Sequence, residues 1–257
     1  MATQNKTIKS VNDDQHAILR DIMNLHNGGR PFECDLTYSI GNFYGKFTCV
    51  ETTVGDDGTP FEQKVEYEIP QPKYKFDVDP QVEGCEKFDP WGDIPLADNS
   101  IDSLVIDPPF VIGPRDSASV FNGRKGSNAI QKRFSSYYPR YEMFASYEHL
   151  MKIAYRVLKP GGVLVFKSQN VISGGINLMT SYYTCTLAEK YGFYIKDEFV
   201  LTAKNRLISG KVNEQQHSRR YHSFFHVFVK DDPKKDKIGY WVREWTTKRN
   251  GYMSVEP

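Results

Sequence analysis

Cysteine is scarce in this chain and scattered. Cys34, Cys49, Cys85 and Cys185 are the four among 257 residues, and no two of them form a Cys-x-x-Cys pair. That spacing argues against a zinc cluster, so no metal is expected, and it fits a reducing, cytoplasmic setting. Neither sign of charge dominates. Lys and Arg number 33 against 32 Asp and Glu, for a formal net charge of +1. Any surface for nucleic acid must therefore be local rather than global. No apolar run reaches the length of a membrane-spanning helix and the N-terminus has no apolar signal core, so no membrane association is expected. Internal repeats and low-complexity tracts are also missing.

What is present suits a soluble globular fold, with 39% hydrophobic and 25% charged residues. The length allows one large domain, and 1–257 reads as a single unit. Residues 1–11 are a polar start. Ile18, Ile22 and Leu25 recur at helical spacing over Gln15 to Asn27, Asp13 or Asp14 can cap the start, and Gly28-Gly29 stops it. Residues 46–69 alternate as two strands around Gly55-Asp56-Asp57-Gly58, a β-hairpin insertion. Tyr141 to Leu158 carries one apolar stripe and reads as a helix. Lys159-Pro160-Gly161-Gly162 ends it before a buried strand over 163–167. A second helix is expected over Ile176 to Tyr191, stopped by Gly192. Phe193 to Thr202 and Ser223 to Val229 read as a closing antiparallel pair. Residues 231–257 form a charged tail.

The chain is organised around residues 101–110. Ser103 to Ile106 reads as a short strand buried on both faces. Asp107-Pro108-Pro109-Phe110 ends it, because proline cannot donate to a sheet ladder. The outcome is a rigid group of acceptors beside an aromatic plate at the carboxyl end of a central strand, where open α/β sheets bind ligands.

This segment resembles the catalytic loop of the S-adenosylmethionine-dependent methyltransferases that modify exocyclic amines of bases. An exocyclic amine is a poor nucleophile because its lone pair is delocalised into the ring. The resemblance implies that the Asp107 carboxylate and a main-chain carbonyl at Pro108 hold both amine hydrogens, with Pro109 stiffening the loop and Phe110 stacking on an unstacked base. Residues 156–166, Arg-Val-Leu-Lys-Pro-Gly-Gly-Val-Leu-Val-Phe, are similar to the junction before the fifth strand of class I methyltransferases. The expected fold is thus a Rossmann-like, mostly parallel seven-strand sheet with helices on both faces.

The same resemblance assigns S-adenosylmethionine as cofactor. Asp35, Gly41 and Phe43 match the family's first loop, with Gly41 letting backbone approach the methionine part of the cofactor. Tyr38 and Ile40 depart from the usual small residues there. Asp77 or Asp79 would accept from the ribose hydroxyls. Asp89 or Asp93 would contact the adenine amine. Trp91 either packs on the adenine or belongs to the core. At the end of the 163–167 strand, Ser168-Gln169-Asn170 either faces the target base or simply caps the turn.

Two segments suit a polynucleotide. Residues 111–140 lack helical or strand periodicity and interleave Arg124, Lys125, Lys132 and Arg133 with Phe121, Phe134, Tyr137 and Tyr138. Residues 204–222 bring Arg219 and Arg220. The expected partner is nucleic acid. Adenine N6 in DNA is favoured, and cytosine N4 in DNA or an RNA base amine are the rivals. A catalytically silent cofactor- or partner-binding protein on the same fold is the reading of another class. The oligomeric state is not legible.

Overall fold

The computed structural model describes residues 8–55, 57–113, 136–137, 139–203 and 216–232. Its elements run in chain order from β1 (Val11–Asn12), α1 (Gln15–His26) and β2 (Cys34–Asp35) to the hairpin β3 (Gly45–Val54) and β4 (Pro60–Ile69). There follow β5 (Tyr74–Asp77), β6 (Glu86–Lys87), β7 (Ile101–Ile106), β8 (Val111–Ile112), β9 (Ser136–Tyr137) and α2 (Arg140–Val157). The chain continues through β10 (Leu158–Ser168), β11 (Val171–Ser173), β12 (Ile176–Leu178) and α3 (Thr180–Lys190) to β13 (Phe193–Thr202) and β14 (His222–Lys230).

The fold is mixed α/β, and its central sheet is mostly parallel, in the order β1-β13-β14-β10-β7-β2-β5-β6. Only β14 runs against its neighbours. It holds eight strands where seven were expected. The two-residue β1 pairs Val11 with Val200 and Asn12 with Leu201 along the outer edge of β13.

Strand period explains why both faces are covered. Leu104, Ile106, Leu164, Phe166 and Phe228 point to one face, where they pack with Met143, Tyr147, Leu150 and Ala154 of α2 and Leu187 and Ala188 of α3. Val105, Val163, Val165, Val227 and Val229 point to the other and meet Ile18, Leu19, Ile22 and Met23 of α1. Successive side chains of one strand thus enter different cores, which is why β7 and β10 read as continuous apolar runs.

Asp14 caps α1, its carboxylate accepting from the His16 amide at 2.8 Å. The hairpin pairs in register from Gly45 opposite Ile69 to Val54 opposite Pro60. Arg20 of α1 fastens it: the guanidinium bonds Asp21 and Glu51 and lies 4.7 Å from the centre of the Tyr67 ring. At the far end of α2, the Lys230 ammonium donates to the carbonyls of Tyr155 and Leu158 and to Asn99 Oδ1. A cation there offsets the unpaired carbonyls of the helix end. Gly162 allows β10 to approach β7, since a Cβ at that position would lie 2.8 Å from the Lys159 carbonyl oxygen and 3.2 Å from that of Asp102.

Three expectations need correction. Residues 176–178 form β12, paired antiparallel with β11 around Gly174-Gly175, and α3 begins only at Thr180. The apolar spacing over 176–179 satisfies both periods, and the glycine pair decides for a hairpin. Residues 111–140 are not without strand: Val111 and Ile112 pair in parallel with Ser136 and Tyr137. The buried strand beginning at 163 extends back to Leu158, with an irregularity between Leu158 and Val163. Among the described residues no helix is long and apolar enough to cross a membrane.

Candidate active site

The carboxyl ends of β2, β5 and β7 open onto one cavity of about 450 Å³. Asp35, Asp77 and Asp107 reach it from these three strands, and Lys167 reaches it from β10. Phe43, Phe88, Phe110, Tyr38 and Tyr137 supply its aromatic walls. Sheet register brings the group together. Asp35 stands opposite Val105 and Lys75, and Phe166 opposite Ile106. The residue after each paired apolar position, Asp107 and Lys167, therefore emerges side by side.

A chain of hydrogen bonds links these side chains. The Tyr44 hydroxyl donates to Asp35 Oδ2 at 2.7 Å, and the Thr37 amide donates to Asp35 Oδ1 at 2.8 Å. The Thr37 hydroxyl donates to the same Oδ1 and accepts the Asp107 amide at 2.6 Å. The Lys167 ammonium stands 3.0 Å from Asp107 Oδ2 and 3.5 Å from Gln15 Oε1. Behind the loop, the Tyr147 hydroxyl donates to the Pro109 carbonyl at 3.2 Å. The proline turn is thus held from both sides.

Electrostatics separate the acids. Burial pushes the Asp35 carboxyl up to about 7; Tyr44 and Thr37 oppose the shift, and the charges of Asp107 and Asp77 add to it. Burial also raises Asp77, against the amides of Asp79 and Ser39 that donate to it. Those amides lie 2.8 Å from Oδ1 and 2.9 Å from Oδ2. Asp77 thus braces the Ser39 turn, where Ser39 has φ +52°.

The assigned residues fall into three groups. Asp35, Phe43, Asp77, Asp79, Asp107, Pro108, Pro109 and Phe110 all line the cavity. Gly41 does not line it. Its φ is +75°, and an added Cβ would lie 2.4 Å from the Tyr38 hydroxyl oxygen and 2.6 Å from its Cζ. The glycine clears space for the Tyr38 ring. Asp93 is taken by Arg156, 2.6 Å away, and Asp89 Oδ1 accepts the Trp91 amide at 2.8 Å. Neither acid nor Trp91 lines the cavity, whose wall in that region is Phe88 and Pro90.

Arg219 and Arg220 do not line the cavity either; Arg220 bonds Ser218. Arg124, Lys125, Lys132 and Arg133 lie outside the described residues, as do residues 204–215 and the tail from 233. Tyr137, read as a basic-loop aromatic, is fully buried with its hydroxyl 3.4 Å from Ser146 Oγ. Ser168 is buried against His226, 2.8 Å away. Asn170 holds the start of α3 by accepting the Ser181 amide. His222 and His226 are four apart in sequence but lie on a strand, and among the described residues no cluster of side chains could hold a metal.

Lys167, Thr37, Tyr44 and Tyr147 were not singled out in the sequence. A lysine ending a buried strand is the signal that was available for the first. The other three need the register between strands to acquire meaning.

No family model matches the sequence, and no curated protein matches it. Among solved structures the chain is similar to a Thermus thermophilus protein described as a candidate DNA modification methylase. The identity is 16%, over 36% of this chain and 38% of that one, with a TM-score of 0.29.

Proposed function

We propose that this protein transfers a methyl group from S-adenosylmethionine to an exocyclic amine of a nucleic-acid base, with adenine N6 in DNA favoured. One observation carries the reading. Asp107-Pro108-Pro109-Phe110 opens on the same cavity as Asp35 and Asp77, each at the carboxyl end of a parallel strand. The residues suit the cofactor. The cavity has the volume of a small-molecule site. Its carboxylates and rings suit a ligand carrying ribose hydroxyls and a sulfonium charge. The bound cofactor supplies an electrophilic methyl group.

The chain's own residues do the rest. Asp77, with Asp79 beside it, accepts from the ribose hydroxyls. Asp35 braces the 36–44 loop that forms the cavity floor. Asp107 and the Pro108 carbonyl hold the hydrogens of the target amine, and Phe110 stacks on the base. Tyr147 and Thr37 fix the loop in place, so little reorganisation is needed as the amine attacks. Asp93 is set aside as an adenine contact because Arg156 occupies it, and the side chains of Phe88 and Pro90 form the apolar wall beside that ring.

The direct test is incubation with methyl-labelled S-adenosylmethionine and, separately, DNA and RNA, followed by digestion to nucleosides. Labelled N6-methyladenine from DNA supports the reading. N4-methylcytosine or label in RNA selects a rival substrate. Cofactor binding without transfer to either polymer selects the silent alternative.

A further inference from the structure

Lys167 occupies the position in the cavity that most needs explaining. Its ammonium is 3.0 Å from Asp107 Oδ2. It also sits 5.1 Å from the ring centre of Phe43, 5.8 Å from that of Phe110 and 5.2 Å from that of Phe225. The side chain is 11% exposed. A carboxylate with aromatic faces around the position of its counter-ion is a receptor for organic cations. Here the protein's own ammonium fills that receptor. We infer that Lys167 is a specificity-determining residue that sets the charge class of the substrate: it admits an uncharged, conjugated amine beside Asp107 and rejects an ammonium.

The inference rests on the reading of this cavity as an amine-methylation site and deepens it. Lys167 engages Asp107 Oδ2, and among the described residues no hydrogen bond reaches Oδ1. An uncharged amine can therefore still donate to Asp107. A cationic amine would meet the Lys167 charge at close range, and like charges in a partly desolvated site repel strongly. Phe43 and Phe110, the two of these rings that line the cavity, would offer it little in return, their faces being already engaged by Lys167. Rejection of the competitor by a repulsive group is a general route to specificity. The chemistry runs in the same direction. An ammonium has no lone pair to attack a methyl group, so excluding it keeps the site for the nucleophilic form.

The test uses two nucleosides of nearly the same shape, adenosine and 1-methyladenosine, the second carrying a positive charge at neutral pH. Binding of each is followed by NMR titration of the full chain saturated with S-adenosylhomocysteine. Wild-type protein should favour adenosine by about ten-fold or more, a modest result for one like-charge contact. Lys167→Met should lose or reverse that preference, and Lys167→Arg should keep it. If Lys167→Met does not fold, judged by circular dichroism, Lys167→Gln makes the same comparison.

An unchanged preference in the neutral variant would overturn the inference while leaving the function standing. Equal loss of preference in Lys167→Met and Lys167→Arg would also overturn it, by assigning Lys167 a role in shape alone. Failure of the wild-type protein to bind S-adenosylhomocysteine would instead overturn the functional reading on which it rests. Binding of S-adenosylhomocysteine without either nucleoside would overturn the amine site and the inference together.

Discussion

The Tyr44 hydroxyl donates to Asp35 Oδ2 across 2.7 Å with both residues buried. This bond opposes the burial that raises Asp35 but does not cancel it, and the carboxyl is pushed up to about 7 from an ordinary 3.8. A raised acid binds more protons folded than unfolded between those two values. Its contribution to stability is therefore greatest below pH 4 and is lost as pH rises to about 7. Thermal unfolding midpoints of wild type and Asp35→Asn, measured from pH 4.5 to 8, should show the wild type losing stability relative to the variant as pH rises. Parallel curves would show that Asp35 does not titrate in this range.

Asp77 holds two backbone amides and, on the proposed reading, the cofactor ribose. Asp77→Ala should weaken S-adenosylmethionine binding by about 1–3 kcal/mol, the usual cost of stranding buried hydrogen-bonding groups. Asp77→Asn, which keeps one acceptor oxygen, should lose less. Calorimetry giving wild-type affinity for the alanine variant would remove Asp77 from the cofactor site and leave it as the brace of the Ser39 turn.

Asp107 and Phe110 should separate by readout. Asp107→Ala is expected to retain cofactor affinity and lose methyl transfer, because its contact matters when the amine is positioned for attack. Phe110→Ala should weaken substrate engagement by about 1–3 kcal/mol, the worth of one stacked base, while Phe110→Trp is better tolerated. An active Asp107→Ala enzyme would sink the aminomethyltransferase assignment.

Gly41 answers to Tyr38. Gly41→Ala puts a Cβ in contact with the Tyr38 ring at a backbone conformation that favours glycine. It should cost roughly 1–3 kcal/mol of stability, as overpacking and a left-handed non-glycine residue each do. In a double-mutant cycle with Tyr38→Ala, denaturant melts should show the paired cost well below the sum. Strict additivity would mean that the ring is not the obstacle.

Polynucleotide binding should weaken steeply with salt if Arg124, Lys125, Lys132, Arg133, Arg219 and Arg220 meet phosphates. Each charge removed should lower the slope of log affinity against log salt by about one. A flat dependence would point to a substrate that is not a polynucleotide.

The sequence by itself determined what its periods encode. The alternation of Val105 with Leu104 and Ile106, the helical stripes of α1 and α2, and the hairpin around residues 55–58 follow from local side-chain spacing and turn chemistry. The Asp-Pro-Pro-Phe segment was legible for the same reason, since prolines after an apolar strand dictate their own geometry. Lone acids and lysines carry no such local constraint, and their partners come from strands that are distant in sequence. Parallel register alone decided that Lys167 stands beside Asp107, 60 residues earlier in the chain. It was likewise a tertiary contact, the Arg156 guanidinium, that claimed Asp93. The purpose of Gly41 also emerged only in three dimensions, because a missing side chain is explained by whatever occupies its space, and here that is the ring of Tyr38.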